Sequence, residues 1–334
     1  MGRKEIYVAN PARYDEGVMN YRRCGESGIK LPEISLGFWW NFGGINVYEE
    51  SLAKVTYAFD HGITCFDLAN NYGPPYGSAE ETFGRIYEDN FKQHRHEMII
   101  TTKAGYDMWE GPYGNGSSRK MLMTSLDESL KRMKLDYVDI FYSHRYDGFT
   151  PIEETMQALV DIVKSGKAIY VGLSNYPADK LLKAAAYLSD QHVHPLIYQG
   201  RYNMFVRDIE EKHFALLKEL GVGLTAFSPL AQGLLTDKYI NGIPADSRAA
   251  LGHHLQKEAI TPNVVAKVKA LNEMAARRGQ SLAQMAVSWI LSRQIVTSVI
   301  IGPRTVEQLA DSLDAMRNEH FSAEELIEID RILL

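Results

Sequence analysis

Cysteine is nearly missing from this sequence. Only Cys24 and Cys65 occur among 334 residues, one in a predicted turn and one in a predicted buried strand, and no CxxC pair is present. Such sparse cysteine is typical of a reduced cytoplasmic protein, and it argues against structural disulfides and against a cysteine zinc cluster. We therefore expect a cytoplasmic location.

Long apolar runs and blocks of like charge are also missing. No run approaches the 18 apolar residues of a transmembrane helix, and residues 1–6 are too polar for a signal peptide. The net charge of −6 is spread along the chain, so neither nucleic acid nor anionic lipid is expected as the main partner. A hydrophobic fraction of 45% indicates an ordinary globular protein.

The motifs of several other enzyme classes do not occur. Residues 111–116 have the wrong spacing and context for the GxGxxG turn of a doubly wound dinucleotide-binding sheet. The histidines at 94–96, 192–194 and 253–254 lack a third ligand at metal spacing, and HExxH is absent, so no metal site is expected. Residues 172–176 lack the second glycine of a nucleophile elbow.

What the chain does contain is a regular alternation of strand and helix patterns. Eight apolar runs predict strands, and these lie at residues 34–39, 63–68, 98–102, 137–142, 168–172, 196–199, 223–227 and 298–301. Amphipathic stretches predict helices near 48–61, 79–88, 119–134, 152–164, 178–189, 208–220, 281–293 and 305–316, with extra helices near 262–278 and 323–332.

This alternation predicts an α/β protein with a (β/α)8 TIM barrel. No Pro-, Gly- or Ser-rich linker divides the chain, so we expect one domain over residues 1–334. Residues 1–18 carry no clear period and are interpreted as an N-terminal extension, and residues 21–32 are predicted to form a hairpin. Helix-capping signals support these helix starts, and they lie at Thr150 with Pro151 and Glu153, Ser281 with Gln284, Thr305 with Gln308, and Ser322 with Glu325.

Four polar side chains follow three of the predicted strands. Asp67 ends the second strand with Tyr72 just beyond it, Lys103 follows the third, and His144 follows the fourth. The carboxyl ends of barrel strands are where active sites lie, although each residue alone is equally explained as a loop polar group. An ammonium near a phenol favours the phenolate and lowers its pKa, a carboxylate holds the ammonium in place, and a histidine orients a carbonyl oxygen. Together the four predict acid–base chemistry on a carbonyl.

Six segments in this order, CFDLANNYG, ITTKAGYDMW, YVDIFYSHR, YVGLSNY, LTAFSPLAQGLL and IIGPR, resemble the aldo-keto reductase superfamily from about residue 20 onward. The resemblance is greatest to the branch that contains bacterial L-glyceraldehyde 3-phosphate reductases and potassium-channel β subunits. It implies that Asp67, Tyr72, Lys103 and His144 form a catalytic tetrad. Channel subunits usually carry asparagine at the position of His144.

The same resemblance implies NADP(H) bound across the barrel mouth. The implied contacts at the nicotinamide are Ser174, Asn175, Gln199 and Phe227, and those at the pyrophosphate are Ser228, Leu230, Gln232 and Gly233, with Lys238 and Arg248 on a strap that crosses it. The implied adenosine end contains Gly302, Arg304, Gln308, Asp311 and Ser312, and Trp39 is a further implied cofactor contact. Arg304 near a helix start favours a 2′-phosphate and therefore NADPH. Phe227 is alternatively a core residue, and Gln308 is equally explained by the capping box of Thr305.

The predicted function is NADPH-dependent reduction of a small aldehyde or ketone, such as L-glyceraldehyde 3-phosphate or methylglyoxal. The predicted substrate contacts are Trp39, Tyr72, Trp109, His144 and Arg145, with Trp40 and Tyr113 completing an aromatic rim and Arg145 meeting a substrate phosphate. The resemblance further implies a homo-oligomer, a tetramer or an octamer. The alternative is a regulatory subunit that holds NADP(H) and senses redox state for a channel-like partner. A non-redox barrel isomerase would not need the pair of Tyr72 and Lys103.

Overall fold

Eight parallel strands close into a barrel at the centre of the computed structural model, which describes residues 7–245, 247, 249–250, 252 and 255–334. A two-stranded antiparallel hairpin, β1 (Tyr21–Arg23) and β2 (Lys30–Pro32), precedes it. The barrel strands are β3 (Ile34–Gly37), β4 (Cys65–Asp67), β5 (Ile99–Ala104), β6 (Val138–Ser143), β7 (Ala168–Ser174), β8 (Pro195–Arg201), β9 (Gly223–Phe227) and β10 (Val296–Ile301). They follow one another around the barrel in chain order, and β10 pairs with β3.

Helices surround the barrel and connect its strands. They are α1 (Tyr48–Asp60), α2 (Ser78–Ile86), α3 (Arg119–Met133), α4 (Ile152–Lys164), α5 (Ala178–Asp190), α6 (Ile209–Glu219), α7 (Pro262–Arg277), α8 (Leu282–Leu291), α9 (Val306–Asp314) and α10 (Ala323–Leu333). The predicted (β/α)8 barrel is therefore confirmed, as are the hairpin and the two extra helices, α7 and α10. Among the described residues, no helix combines the length and the apolar composition that crossing a membrane requires.

The helix caps agree with the sequence at some starts and differ at others. Ser281 and Ser322 form complete capping boxes with Gln284 and Glu325. The cap predicted at Thr150 is wrong, because the Thr150 hydroxyl donates to Asp147 at 2.7 Å and α4 begins after Pro151 without a side-chain cap. The Thr150 hydroxyl therefore bonds to the Asp147 carboxylate instead of capping α4.

Residues 7–14, within the predicted N-terminal extension, contact the barrel. Tyr7 and the backbone N–H of Asn10 both donate to the carboxylate of Asp60, at the end of α1. A short 3-10 helix, Pro11–Tyr14, follows, and Tyr14 donates to Glu97 just before β5. These contacts lie at the end of the barrel where the strands begin, because Asp60 precedes β4 and Glu97 precedes β5.

A glycine makes room for the floor of the functional end. A Cβ on Gly172 in β7 would lie 2.3 Å from the ring of Tyr142 in the neighbouring β6. The Tyr142 ring is 2% exposed, and the Nζ of Lys103 lies 5.5 Å from its centroid. A larger residue at 172 would displace this ring from beneath Lys103.

Candidate active site

Asp67 and Lys103 form a buried ion pair at the carboxyl ends of adjacent strands. Lys103 is fully buried and Asp67 is 3% exposed. The Lys103 Nζ donates to Asp67 Oδ2 and to the backbone oxygen of Leu68, both at 2.6 Å. Because β4 and β5 are parallel neighbours, their last residues point into the same space. Such acceptors offset part of the cost of burying an ammonium.

The second oxygen of Asp67 is also fully engaged. Asp67 Oδ1 accepts from Thr101 Oγ1 at 2.9 Å and from Gln199 Nε2 at 2.8 Å. The carboxylate therefore receives three side-chain donors from β5 and β8, and it cannot rotate without losing one of them. Gln199 was predicted to contact the cofactor, whereas its bond to Asp67 was not predicted, since the two residues lie 132 positions apart.

The four residues of the predicted tetrad lie together at the mouth. The Lys103 Nζ is 5.1 Å from the centroid of the Tyr72 ring. The Tyr72 and His144 rings are 6.0 Å apart at an interplanar angle of 71°. The structure thus brings together the side chains that the sequence pattern grouped, while their catalytic assignment stays a prediction.

The pKa of Tyr72 moves in the opposite direction to the one expected. Burial raises the pKa of Tyr72 well above 10, and the charge of Asp67 and the neighbouring Tyr106 raise it further. The expected lowering by Lys103 is not found, because the ammonium directs its hydrogen bonds to Asp67 and Leu68 and burial outweighs its attraction. Tyr72 is therefore a protonated phenol at neutral pH.

Burial also determines the charges of Lys103 and His144. Burial lowers the pKa of Lys103, and the opposing attraction of Asp67 favours its charged form. Burial lowers the pKa of His144 well below 6.5, and the charges of Lys103 and Arg145 lower it further. His144 is consequently neutral at physiological pH and has one ring N–H to donate.

A second tyrosine that the sequence reasoning missed packs against His144. The Tyr106 and His144 rings meet edge to face, with centroids 4.7 Å apart at 88°. The Nδ1 atom of His144 is buried and has no hydrogen-bond partner among the described residues, so ring packing rather than a hydrogen bond at Nδ1 orients the imidazole. The available signal was the position of Tyr106 three residues after Lys103 in ITTKAGYDMW.

Arg145 braces the loop that follows β5. Its Nε donates to the Gly105 oxygen at 3.0 Å and its Nη2 to Asn115 Oδ1 at 2.6 Å, while the guanidinium lies 4.6 Å from the Tyr106 ring centroid. These contacts show an anchor for Tyr106. The phosphate contact predicted for Arg145 stays a prediction.

Aromatic side chains lie in loops that follow the barrel strands, and their predicted role as a rim around the substrate stays a prediction. Trp109 is 38% exposed and Tyr113 is 58% exposed, and both lie in the loop between β5 and α3. In the loop after β3, the ring centroids of Trp39 and Trp40 are 6.1 Å apart. Phe149, which was not predicted, is 70% exposed and packs on Gly116 of the same loop as Trp109. This rim is open to solvent.

The predicted nicotinamide contacts lie on adjacent strands. Ser174 ends β7 with Asn175 directly after it, Gln199 lies in β8, and Phe227 ends β9 with Ser228 directly after it. Ser174 is fully buried and Phe227 is half-buried. The Asn175 Nδ2 donates to the backbone oxygen of His144 at 3.1 Å, so this part of the mouth also touches the tetrad.

The backbone after β9 contains several residues in the left-handed region. Ser228, Ala231 and Gln232 have φ values of 57°, 46° and 60°, and Gly233 has 98°. Positive φ is uncommon for residues other than glycine, and consecutive turns of this kind can direct several N–H groups toward one anion. The Gln232 Oε1 is buried and has no partner among the described residues. The N–H groups of Ala231 and Gly233 donate to the backbone oxygens of Ser228 and Leu230, and an unpartnered amide oxygen does not attract an anion. The pyrophosphate contacts of this segment, Leu230 included, therefore stay predictions.

The predicted adenosine end is partly engaged in internal contacts. Gly302 and Arg304 follow β10 and are exposed. The Gln308 Oε1 accepts from the Arg304 N–H at 2.8 Å rather than completing the capping box of Thr305. Two further predicted contacts, Asp311 and Ser312, bond to Gln284 and to the Gln308 backbone.

Of the two residues predicted for the strap, the structure describes one. Lys238 is exposed in a short 3-10 helix, Asp237–Tyr239, and Arg248 lies outside the described residues. Within the described part of the chain, no group of three or more His, Cys, Asp or Glu side chains is arranged to hold a metal ion. All cofactor contacts stay predictions.

Comparison with known proteins agrees with this geometry. The sequence model of the aldo/keto reductase family matches residues 33–334, so the chain belongs to that family and is an oxidoreductase. Members of the family generally use a nicotinamide dinucleotide.

Individual relatives cover nearly the whole chain. The chain is 52% identical over 332 residues to L-glyceraldehyde 3-phosphate reductase of Escherichia coli strain K12. The aligned region covers 98% of this chain and 95% of that protein. The chain is 38% identical over 306 residues to a probable voltage-gated potassium channel subunit beta of Arabidopsis thaliana. That aligned region covers 89% of this chain and 91% of that protein. The similarity therefore includes the branch that the motifs indicated.

Proposed function

We propose that the protein reduces small aldehydes or ketones with NADPH. The observation that carries the proposal is the buried pair of Asp67 and Lys103 beside Tyr72 and His144, at the open end of the barrel. When bound, the nicotinamide would supply a hydride to the carbonyl carbon. The chain's own residues would then need to supply a proton and hold the carbonyl oxygen.

Tyr72 is proposed as the proton donor. Its raised pKa keeps the phenol protonated until an oxygen of rising basicity takes the proton. The phenolate that remains would be stabilised by the Lys103 ammonium, which Asp67 holds near the ring. Neutral His144 would donate its ring N–H to the same carbonyl oxygen, and Tyr106 fixes the imidazole orientation.

Short phosphorylated aldehydes and methylglyoxal are the proposed substrates. The name of the 52% identical relatives supports L-glyceraldehyde 3-phosphate. The exposed Arg304 after β10 supports a 2′-phosphate and hence NADPH. We further propose the Arg145 phosphate contact and a homo-oligomeric state, which the same branch of the family suggests.

The proposal is tested with Tyr72→Phe and an aldehyde panel. We expect the wild-type protein to oxidise NADPH faster than NADH with short aldehydes, and Tyr72→Phe to lose turnover by about 10²–10⁴-fold. NADPH binding, measured by calorimetry, should be the same for both proteins, since the ring stays in place. Carbonyl reduction that survives in Tyr72→Phe would overturn the proton-donor role. Negligible wild-type turnover with tight NADPH binding would instead favour the regulatory subunit that holds NADP(H).

A further inference from the structure

A second buried lysine lies beneath the loop between β3 and α1, and the proposed mechanism does not use it. Lys54 on α1 is 2% exposed. Its Nζ donates to the Asn41 backbone oxygen at 2.7 Å and lies 4.0 Å from the centroid of the Phe42 ring. In the described part of the chain no carboxylate pairs with it.

Burying this ammonium with so few partners costs free energy. Burial lowers the pKa of Lys54 to about 8, and the nearby Glu50 offsets this only in part. A cation held by one carbonyl and one aromatic face lacks the full set of acceptors that makes a buried charge tolerable. Costly local arrangements concentrate at functional positions, so the surroundings of Lys54 need a functional explanation.

One side of the loop above Lys54 reaches the predicted adenosine end of the cofactor site. Asn41 has a left-handed backbone with φ 70°. Its Nδ2 is shared between the backbone oxygens of Gly302 and Pro303, at 3.4 Å each. Asn41 therefore joins the loop after β3 to the loop after β10.

The other side of the same loop packs on the segment that follows Tyr72. A Cβ on Gly43 would lie 2.5 Å from the Pro74 oxygen, which shows how closely the two backbones approach. The Gly44 N–H donates to Ser78 Oγ at 2.9 Å, at the start of α2. The loop, with Trp39 and Trp40 in it, thus spans the mouth from the adenosine end to the Tyr72 segment.

We propose that Lys54 is a positioning residue for the cofactor site, because its ammonium fixes Asn41 and Phe42 and so sets the β3–α1 loop between the Gly302 segment and the Tyr72 segment. This inference rests on the proposed function. Lys54 itself is not among the proposed cofactor or substrate contacts, because it is buried and its ammonium bonds to the Asn41 backbone oxygen. Its contribution is to hold the loop in its binding conformation before the cofactor arrives, which lowers the ordering cost of binding.

The test is calorimetric titration of the full-length protein with NADPH. Lys54→Met keeps the length and apolar stem of the side chain and removes the donor. Asn41→Gly removes the amide that bonds to residues 302 and 303, and glycine tolerates φ 70° without strain. We expect each variant to raise the Kd for NADPH about tenfold. The kcat at saturating NADPH should stay within about twofold of wild type, because the tetrad is unchanged.

A double variant shows whether Lys54 acts through Asn41. If both belong to one connection, Lys54→Met with Asn41→Gly should bind NADPH about as weakly as either single variant. Multiplied effects would overturn the inference, as would an unchanged Kd in Lys54→Met. Lys131 of α3 has an exposed side chain, so Lys131→Met is the control for losing a lysine, and this variant should bind NADPH like wild type.

Folding and the broader proposal are checked separately. If circular dichroism shows that Lys54→Met does not fold, Lys54→Gln replaces it, and an unchanged Kd there overturns the inference. If the wild-type protein fails to bind NADPH, the proposed function fails. If the wild type binds and both Lys54 variants bind equally well, only the positioning role fails.

Discussion

Among the described residues, Lys54 and Lys103 are buried to almost the same degree, yet their surroundings differ. Lys103 lies near the carboxyl end of β5 with a carboxylate and a carbonyl, both at 2.6 Å. Lys54 lies under the β3–α1 loop with one carbonyl and one aromatic ring. Burial is the largest influence on both pKa values and lowers each. The difference between the sites is therefore in the partners, not in the burial.

The partners determine what each lysine leaves behind when it is removed. Without Lys103, Asp67 would stay buried with two neutral donors and no cation, which is a costly state. Without Lys54, only a backbone oxygen and a ring face lose a partner. Lys103 thus belongs to an interdependent charged network, whereas Lys54 is a single charge that its surroundings barely compensate.

The strongest test of this contrast is Lys103→Met. We expect kcat to fall by about 10³-fold, because the Tyr72 phenolate loses its nearest cation. The free energy of unfolding should fall by about 3–5 kcal/mol, because the substitution breaks a buried ion pair. Steady-state NADPH oxidation and urea unfolding measure the two effects. A variant that stays within tenfold of wild-type activity would remove Lys103 from the chemistry.

The second test uses the pH dependence of Lys54. Its pKa is about 8 in the folded protein and 10.5 ordinarily, so between these values the unfolded state binds more protons. Stability contributed by this site therefore rises with pH between 8 and 10.5, and the cost is fully present below pH 8. Relative to Lys54→Met, wild type should gain about 3 kcal/mol across that range, at 1.36 kcal/mol per pKa unit.

Urea unfolding of both proteins at pH 7, 8, 9 and 10.5 measures this gain. Other groups titrate equally in the two proteins and cancel in the difference. A difference that stays constant with pH would mean that Lys54 has an ordinary pKa and that its burial costs little.

The barrel could be predicted from the sequence because it depends on a regular signal of eight apolar runs. The carboxyl ends of these strands must meet, so Asp67, Tyr72, Lys103 and His144 were expected to lie close together, and they do. Their catalytic role stays a prediction. The predicted lowering of the Tyr72 pKa was wrong, because burial raises this pKa and the extent of burial depends on how the loops pack around the ring.

Contacts between distant loops could not be predicted. In an amphipathic helix a single lysine is typical of the solvent face, so nothing in α1 indicated that Lys54 is buried beneath Asn41. The edge contact between Tyr106 and His144 depends on the loop conformation after β5. The bond from Gln199 to Asp67 joins opposite parts of the barrel wall and has no local signal.

The smallest expected effect concerns the hydroxyl that supports Asp67 from β5. Thr101→Val keeps the shape of the side chain and removes one of three side-chain donors to this carboxylate. Leaving a charged acceptor short of one bond should cost about 1–3 kcal/mol of stability and lower kcat about tenfold, because the Asp67–Lys103 geometry loosens. Thr297→Val is the matched control, since the buried Thr297 hydroxyl accepts from the Leu224 N–H away from the tetrad. That control should lose stability and keep kcat. Equal kcat in both variants would mean that Asp67 is held by Lys103 and Gln199 alone, and that the network around Lys103 is smaller than its contacts suggest.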